Sequence, residues 1–190
     1  MIVAVDIDDV LNDFVGSMAE FHNKRYGTNL KREDFKTYYL RETLGLDEKE
    51  ASRRLGEFAD SSLEALKPTE DSVEVVRELS NIHKLVVITS RAEKRRELTQ
   101  NWISSNFPNC FSEVYFAMNH YIGVGNKKKN EICKELGVGI MIEDSMDYAL
   151  KCSEVGGVFL YDCPWNQKDK LPSSIIRVHG WKDIGRRLIY

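Results

Sequence analysis

Nowhere in this chain do about 18 apolar residues run together, so no segment reads as a membrane-spanning helix. The opening "MIVAVDID" has neither a basic n-region nor a cleavage site, and secretion is not expected. An excess of one charge is also missing. Lys and Arg number 27 against 30 Asp and Glu, a formal net charge of -3, which leaves no broad footprint for a nucleic-acid polymer or an anionic membrane. Four cysteines, Cys110, Cys133, Cys152 and Cys163, lack CxxC or zinc-type spacing and read as reduced thiols of a cytoplasmic protein. His22, His83, His120 and His179 form no HxH or HExxH group, which argues against a histidine-built metal site. Internal repeats and low-complexity tracts are absent, and "GVG" at Gly123 to Gly125 lacks dinucleotide-loop spacing and reads as a turn. No self-pairing apolar patch is visible, so monomer and dimer stay equally open.

What remains is a chain of 190 residues, 42% hydrophobic, enough for one compact domain or a core with a small appendage. Its apolar runs are short and nearly continuous: "MIVAV" at Met1 to Val5, "KLVVIT" at Lys84 to Thr89, "VYFAM" at Val114 to Met118, "GIMI" at Gly139 to Ile142 and "GVFLY" at Gly157 to Tyr161. Such runs fit parallel strands covered on both faces. Helical spacing separates them, as in Val73, Val76 and Leu79 or Ile132, Cys133 and Leu136. The alternation predicts an α/β fold, a doubly wound parallel sheet with its ligand site at the carboxyl ends of the strands. After Tyr161, "DCPWNQKDKLPSS" reads as a surface loop before a last short strand and a terminal helix near Trp181.

The first crossover is too long for one helix. It holds a helical stretch through Phe21, a turn at "YGTN", an aromatic patch "DFKTYYL", and a helix opened by the capping box "DEKE", with Asp47 as N-cap and Glu50 three residues on. We expect a small helical cap at residues 14–66, inserted after the first strand of a core formed by residues 1–13 and 67–190.

Acids close the first strand. Two carboxylates 4 Å apart repel by about 4 kcal/mol at an effective dielectric near 20, so Asp6, Asp8 and Asp9 need a return for their crowding. Other strands end in complementary groups: Thr89 and Ser90 in "ITSR", Glu143 and Asp144 in "IEDSMD", with Asp147 one turn on, and Lys127, Lys128 and Lys129 before the preceding helix. Carboxylates from two strands suit a hard cation such as Mg²⁺, which keeps waters to exchange with a phosphate. A hydroxyl and an ammonium would hold the other oxygens of a phosphoryl group. Strand alternation sends Asp6 and Asp8 to one side with Ile7 away, so Asp6 can attack phosphorus while Asp8 moves the proton. The expected partner is a small phosphorylated metabolite. Asp9 and Asp13 are also candidates to cap the following helix, and Asp144 to cap the one after it.

"DIDDV", "ITSR", a lysine before a helix and "IEDS", in that order, resemble the four motifs of the haloacid dehalogenase superfamily of aspartate-nucleophile phosphatases. "DIDDVLNDF" is similar to the opening of the 5'(3')-deoxyribonucleotidases and their bacterial and archaeal relatives, which carry a small helical cap in the first crossover. The resemblance implies Asp6 as nucleophile and metal ligand, Asp8 as general acid/base with its carbonyl on the metal, and Thr89 with Ser90 on phosphate. It implies Lys129, with Lys128 as rival, neutralising the phosphate, and Glu143 and Asp144 completing the Mg²⁺ shell. Asp9 replaces a common glycine and Arg91 a proline of the animal members. Phe14, Tyr38, Tyr39 and Arg91 are the candidate leaving-group contacts, although Phe14, Phe35 and the two tyrosines fit packing of the small cap core better than stacking on a base. The expected activity is a Mg²⁺-dependent phosphatase of nucleoside or deoxynucleoside monophosphates. A sugar phosphate or other organophosphate remains an alternative substrate, and a receiver-type signalling or catalytically silent binding module an alternative of another class.

Overall fold

The computed structural model describes residues 1–118, 127–167 and 170–189, so the "GVG" turn lies outside the described residues. The strands Ile2–Val5 (β1), Lys84–Thr89 (β2), Val114–Phe116 (β3), Ile140–Glu143 (β4), Gly157–Tyr161 (β5) and Ile175–Val178 (β6) are all parallel. They form one sheet in the order β3-β2-β1-β4-β5-β6. Each of the five apolar runs supplies a strand, although β3 stops at Phe116, short of the end of its run. The strand order reverses between β1 and β4. In open α/β sheets that reversal leaves a crevice beyond the carboxyl ends, and here it falls beside Asp6, Glu143 and Asp144.

Period-two alternation divides the sheet between two helical layers. Val3, Val5, Leu85, Val87 and Ile142 pack with residues of the helices Ser72–Ser80 (α4), Arg96–Asn106 (α5) and Trp181–Leu188 (α8). Ala4, Val86, Ile88, Met141 and Leu160 pack with those of Lys129–Leu136 (α6) and Met146–Cys152 (α7). All four cysteines are free and buried.

Between β1 and α4 lies a helical insert of Phe14–Tyr26 (α1), Leu40–Leu44 (α2) and Glu48–Ser62 (α3), with 3-10 turns at Arg32–Asp34 and Leu63–Ala65. Phe58, fully buried, meets Phe14 edge-on at 5.1 Å between ring centroids and Phe21 at 5.6 Å. Asp13 caps α1 by accepting from the Gly16 amide. Asp47 caps α3 by accepting from the Glu50 amide at 2.8 Å, while the Glu50 carboxylate turns to Arg53 and Arg54. Only the Asp47 half of the sequence-predicted capping box is therefore made among the described residues, because two guanidiniums outcompete one amide for the same carboxylate. The two chain passages at the root of the insert are joined. Thr69 donates from its amide to the Leu11 carbonyl and from its hydroxyl to the Val10 carbonyl, both at 2.8 Å.

Candidate active site

The site is assembled at the crevice by strand register. Val5 pairs with Ile142 across β1 and β4, and the Asp6 amide donates to the Ile142 carbonyl at 3.0 Å, which sets Asp6 beside Glu143. Oxygens of Asp6, Glu143 and Asp144 lie within 4.8 Å of one another, and all three residues are buried. Among them sits one cation. Lys129, 1% exposed, places its ammonium 2.7 Å from Glu143 Oε2 and 3.0 Å from Asp6 Oδ1. The first residue of α6 points inward because the helix packs on the sheet, whereas Lys128 is exposed and Lys127 pairs with Glu135.

Three carboxylates against one ammonium leave a deficit of positive charge. Burial, reinforced by Glu143 and Asp8 against the pull of Lys129, pushes the Asp6 carboxyl up to about 7. Asp144 is raised well above the usual carboxylate range by burial and by Glu143, Asp9 and Asp6. Burial also works against the Lys129 charge, but Asp6 and Glu143 outweigh it and hold that ammonium well above its ordinary value. Asp6 Oδ1 is buried with no hydrogen bond of good geometry, despite its nearness to Lys129. A buried carboxylate oxygen whose only charge partner is an ammonium shared with Glu143, within an all-oxygen donor group, fits a hard divalent cation, which would supply the missing charge.

Asp8 is held differently. Strand β1 ends at Val5, yet Ile7 is fully buried in the core while Asp6 and Asp8 both border the cleft, the sidedness alternation predicted. Both Asp8 oxygens accept from Arg91, Nε to Oδ2 at 3.0 Å and Nη2 to Oδ1 at 2.6 Å, and Oδ1 also accepts from Asn12. Asp8 is not among the three clustered carboxylates. Thr89, 1% exposed, accepts the Arg91 amide on its hydroxyl oxygen at 3.2 Å, so its own proton is the donor it offers the cleft. Ser90 also lines the cleft.

The cleft has a volume of about 1220 Å³ and runs from these groups to the helical insert. Phe14, Phe35, Tyr38, Tyr39 and Leu55 line it on the insert side, Arg95, Arg96 and Phe116 on the other. The aromatic patch thus divides its labour. Phe14 packs on Phe58 and Phe35 is 3% exposed, while Tyr38, 42% exposed, stands edge-on to Tyr39. Asp147 is exposed at the rim.

Three residues of this neighbourhood escape sequence reasoning. Trp165 donates its indole N–H to Asp144 Oδ2 at 2.9 Å, Asn166 holds the Asp144 carbonyl at 2.7 Å, and Arg32 reaches Asp9 from the insert. A tryptophan inside a polar loop was the available signal. Asp144 consequently does not cap α7, whose N-cap is Ser145. Asp9 accepts the Val15 amide in the first turn of α1 at 3.1 Å, as a capping acid would, and pairs with the Arg32 guanidinium.

Comparison with known proteins follows the same lines. Residues 1–189 match the family described as 5' nucleotidase, deoxy (pyrimidine), cytosolic type C. A provisionally named nucleotidase of Halalkalibacterium halodurans is 25% identical, over 94% of this chain and 88% of its own. A nucleotidase of Clostridium acetobutylicum is 23% identical, over 96% of this chain and 90% of its own. Among solved structures, a haloacid dehalogenase superfamily hydrolase of subfamily IA from Geobacter sulfurreducens superposes with a TM-score of 0.63 at 21% identity. That match covers 98% of this chain and 95% of the other.

Proposed function

Since the chain belongs to the cytosolic type C 5' nucleotidase family, whose members are phosphoric monoester hydrolases of the haloacid dehalogenase superfamily, we propose that it is a Mg²⁺-dependent phosphatase of nucleoside or deoxynucleoside monophosphates. The observation that carries the reading is the buried Asp6 carboxylate, set between Lys129 and two further acids at the mouth of an aromatic-lined cleft. The helical insert, residues 14–66, serves as the cap that faces the leaving group. A cytoplasmic location fits the four free, buried cysteines, and no helix of the described residues is long and apolar enough to cross a membrane.

Asp6, Glu143 and Asp144 would hold Mg²⁺, with the Asp8 carbonyl as a further oxygen donor, and the ion would neutralise phosphoryl charge. Asp6 attacks phosphorus and forms an aspartyl-phosphate as the bond to the leaving oxygen breaks. Thr89, Ser90 and Lys129 orient and neutralise the phosphoryl oxygens. Asp8 gives a proton to the departing alkoxide and later takes one from the water that cleaves the acyl phosphate. For this it must release at least one bond from Arg91, whose guanidinium is then turned to the substrate. Replacing Arg91 with Ala is therefore expected to lower kcat/KM by about 10- to 100-fold, mostly through KM. Arg91→Lys should recover little, because an ammonium cannot reproduce the two-pronged contact.

The deciding assay is phosphate release from nucleoside and deoxynucleoside monophosphates, sugar phosphates and an aryl phosphate, in Mg²⁺ and in EDTA. Turnover concentrated on nucleotides and lost in EDTA is the expected result. Preference for sugar phosphates would replace the substrate and keep the chemistry. Undiminished turnover in EDTA would remove the metal from the reaction.

A further inference from the structure

Asp144 is gripped from outside the acid cluster. The Asn166 side-chain amide donates to the carbonyls of Asp144 and Tyr161, each at 2.7 Å, and Asn166 is only 1% exposed. Its own oxygen accepts from the Cys163 amide at 3.3 Å and from Arg177 Nη1 at 2.6 Å, so the amide cannot turn. The neighbouring Trp165 takes Asp144 Oδ2 through its indole N–H. Over the same indole ring lies the Arg32 guanidinium, 4.9 Å from the ring centroid.

Arg32 belongs to the insert and pairs with two acids of the loop that follows β1, Asp9 and Asp13, the N-cap of α1. Asp9 adopts φ 60, a left-handed conformation that costs a residue bearing a Cβ on the order of 1 kcal/mol. Its contacts with Arg32 and the Val15 amide offset that strain. A continuous run of contacts thus leads from the first turn of α1 through Arg32 and Trp165 to Asp144.

We propose that Trp165 and Arg32 are positioning residues that set the divalent-cation affinity of the Asp6, Glu143 and Asp144 group, with Arg32 carrying the seating of the insert to Asp144. This rests on the Mg²⁺ reading above. A donor fixed on one carboxylate oxygen presents the other at a defined angle, and losing such a partner costs metal sites about 10- to 100-fold in affinity. The guanidinium over the ring keeps the indole from rotating its N–H away.

The test is calorimetric titration of Mg²⁺ into the full chain and its variants. Trp165→Phe keeps an aromatic, if smaller, ring and removes the N–H, and should raise the Kd for Mg²⁺ by about tenfold or more. Arg32→Ala, at a position whose side chain is 26% exposed, should raise it less, and Arg32→Lys should not restore it, since Lys keeps the charge and loses the planar stack. Trp102 and Trp181 are 3% and 1% exposed in the core, so a Mg²⁺-dependent change in tryptophan emission reports Trp165 and should be lost in Trp165→Phe. An unchanged Kd in Trp165→Phe and Arg32→Ala, with wild-type melting, overturns the positioning role alone. A wild-type chain that binds no Mg²⁺ overturns the cation reading and this inference with it.

Discussion

Asp6→Asn should abolish phosphate release while leaving the protein at least as stable as the wild type. The amide keeps the size of the carboxylate and its place beside Lys129, but its oxygen is too weak a nucleophile to displace an alkoxide from phosphorus. Deleting a nucleophile costs on the order of 10⁴- to 10⁶-fold in kcat. The stability half comes from crowding: the substitution removes one of three buried carboxylates that share a single ammonium. Thermal melting in EDTA should show no fall in Tm, the pattern of a group kept for chemistry at some cost to folding. Residual turnover within tenfold of wild type would transfer the nucleophile's role elsewhere.

Lys129→Met should fail on both counts. Its ammonium is the counter-charge of Asp6 and Glu143 and also lies 4.6 Å from the centre of the Tyr148 ring. Breaking a buried ion pair from one side strands the other charge, a loss of about 3–5 kcal/mol that urea denaturation in EDTA would record. Activity should be lost as well, because the phosphoryl oxygens lose their cation. Added Mg²⁺ should return part of the stability, since a ligand of the folded state alone stabilises it by mass action. Opposite stability effects at two residues 3.0 Å apart would identify the shortage of positive charge as the feature that both variants probe. A Lys129→Met chain as stable as wild type would place the charge balance elsewhere.

The sheet was legible because its strands are covered on both faces. Short continuous apolar runs rich in β-branched residues, such as "KLVVIT", favour buried strands over helices at that length, and the groups that end them follow at the carboxyl edge. The sequence could also bring Asp6, Thr89, Glu143 and Asp144 to one mouth, since register requires only that β1, β2 and β4 be neighbours. It could not show that Arg91 grips Asp8, because that contact spans 83 positions and depends on a rotamer. Nor did it reveal Trp165 and Asn166. The polarity of "DCPWNQKDK" is that of a surface loop, and the burial of Asn166 within it arises only when its side chain folds back over the carbonyls at the ends of two strands. Lys129 was preferred to Lys128 by likeness to a family helix, and the physical distinction is that Lys128 is the exposed N-cap before α6 while Lys129 is buried in its first turn.

The hydrogen bonds of Thr69 to Val10 and Leu11 have a meaning for descent as well as for folding. They close the root of the insert before any of its helices begins, so the sheet meets the same two chain ends whatever lies between them. Lengthening a closed loop costs only about 0.6 kcal/mol per doubling. The segment from α1 to α3 can therefore change in length and sequence while "DIDDV" is inherited intact, provided that Arg32 keeps its contacts with Asp9 and Trp165. On the proposed reading, in which the insert faces the leaving group, the bond that is broken and the molecule from which it is broken are specified by different stretches of chain, and a new substrate would need no new hydrolytic chemistry.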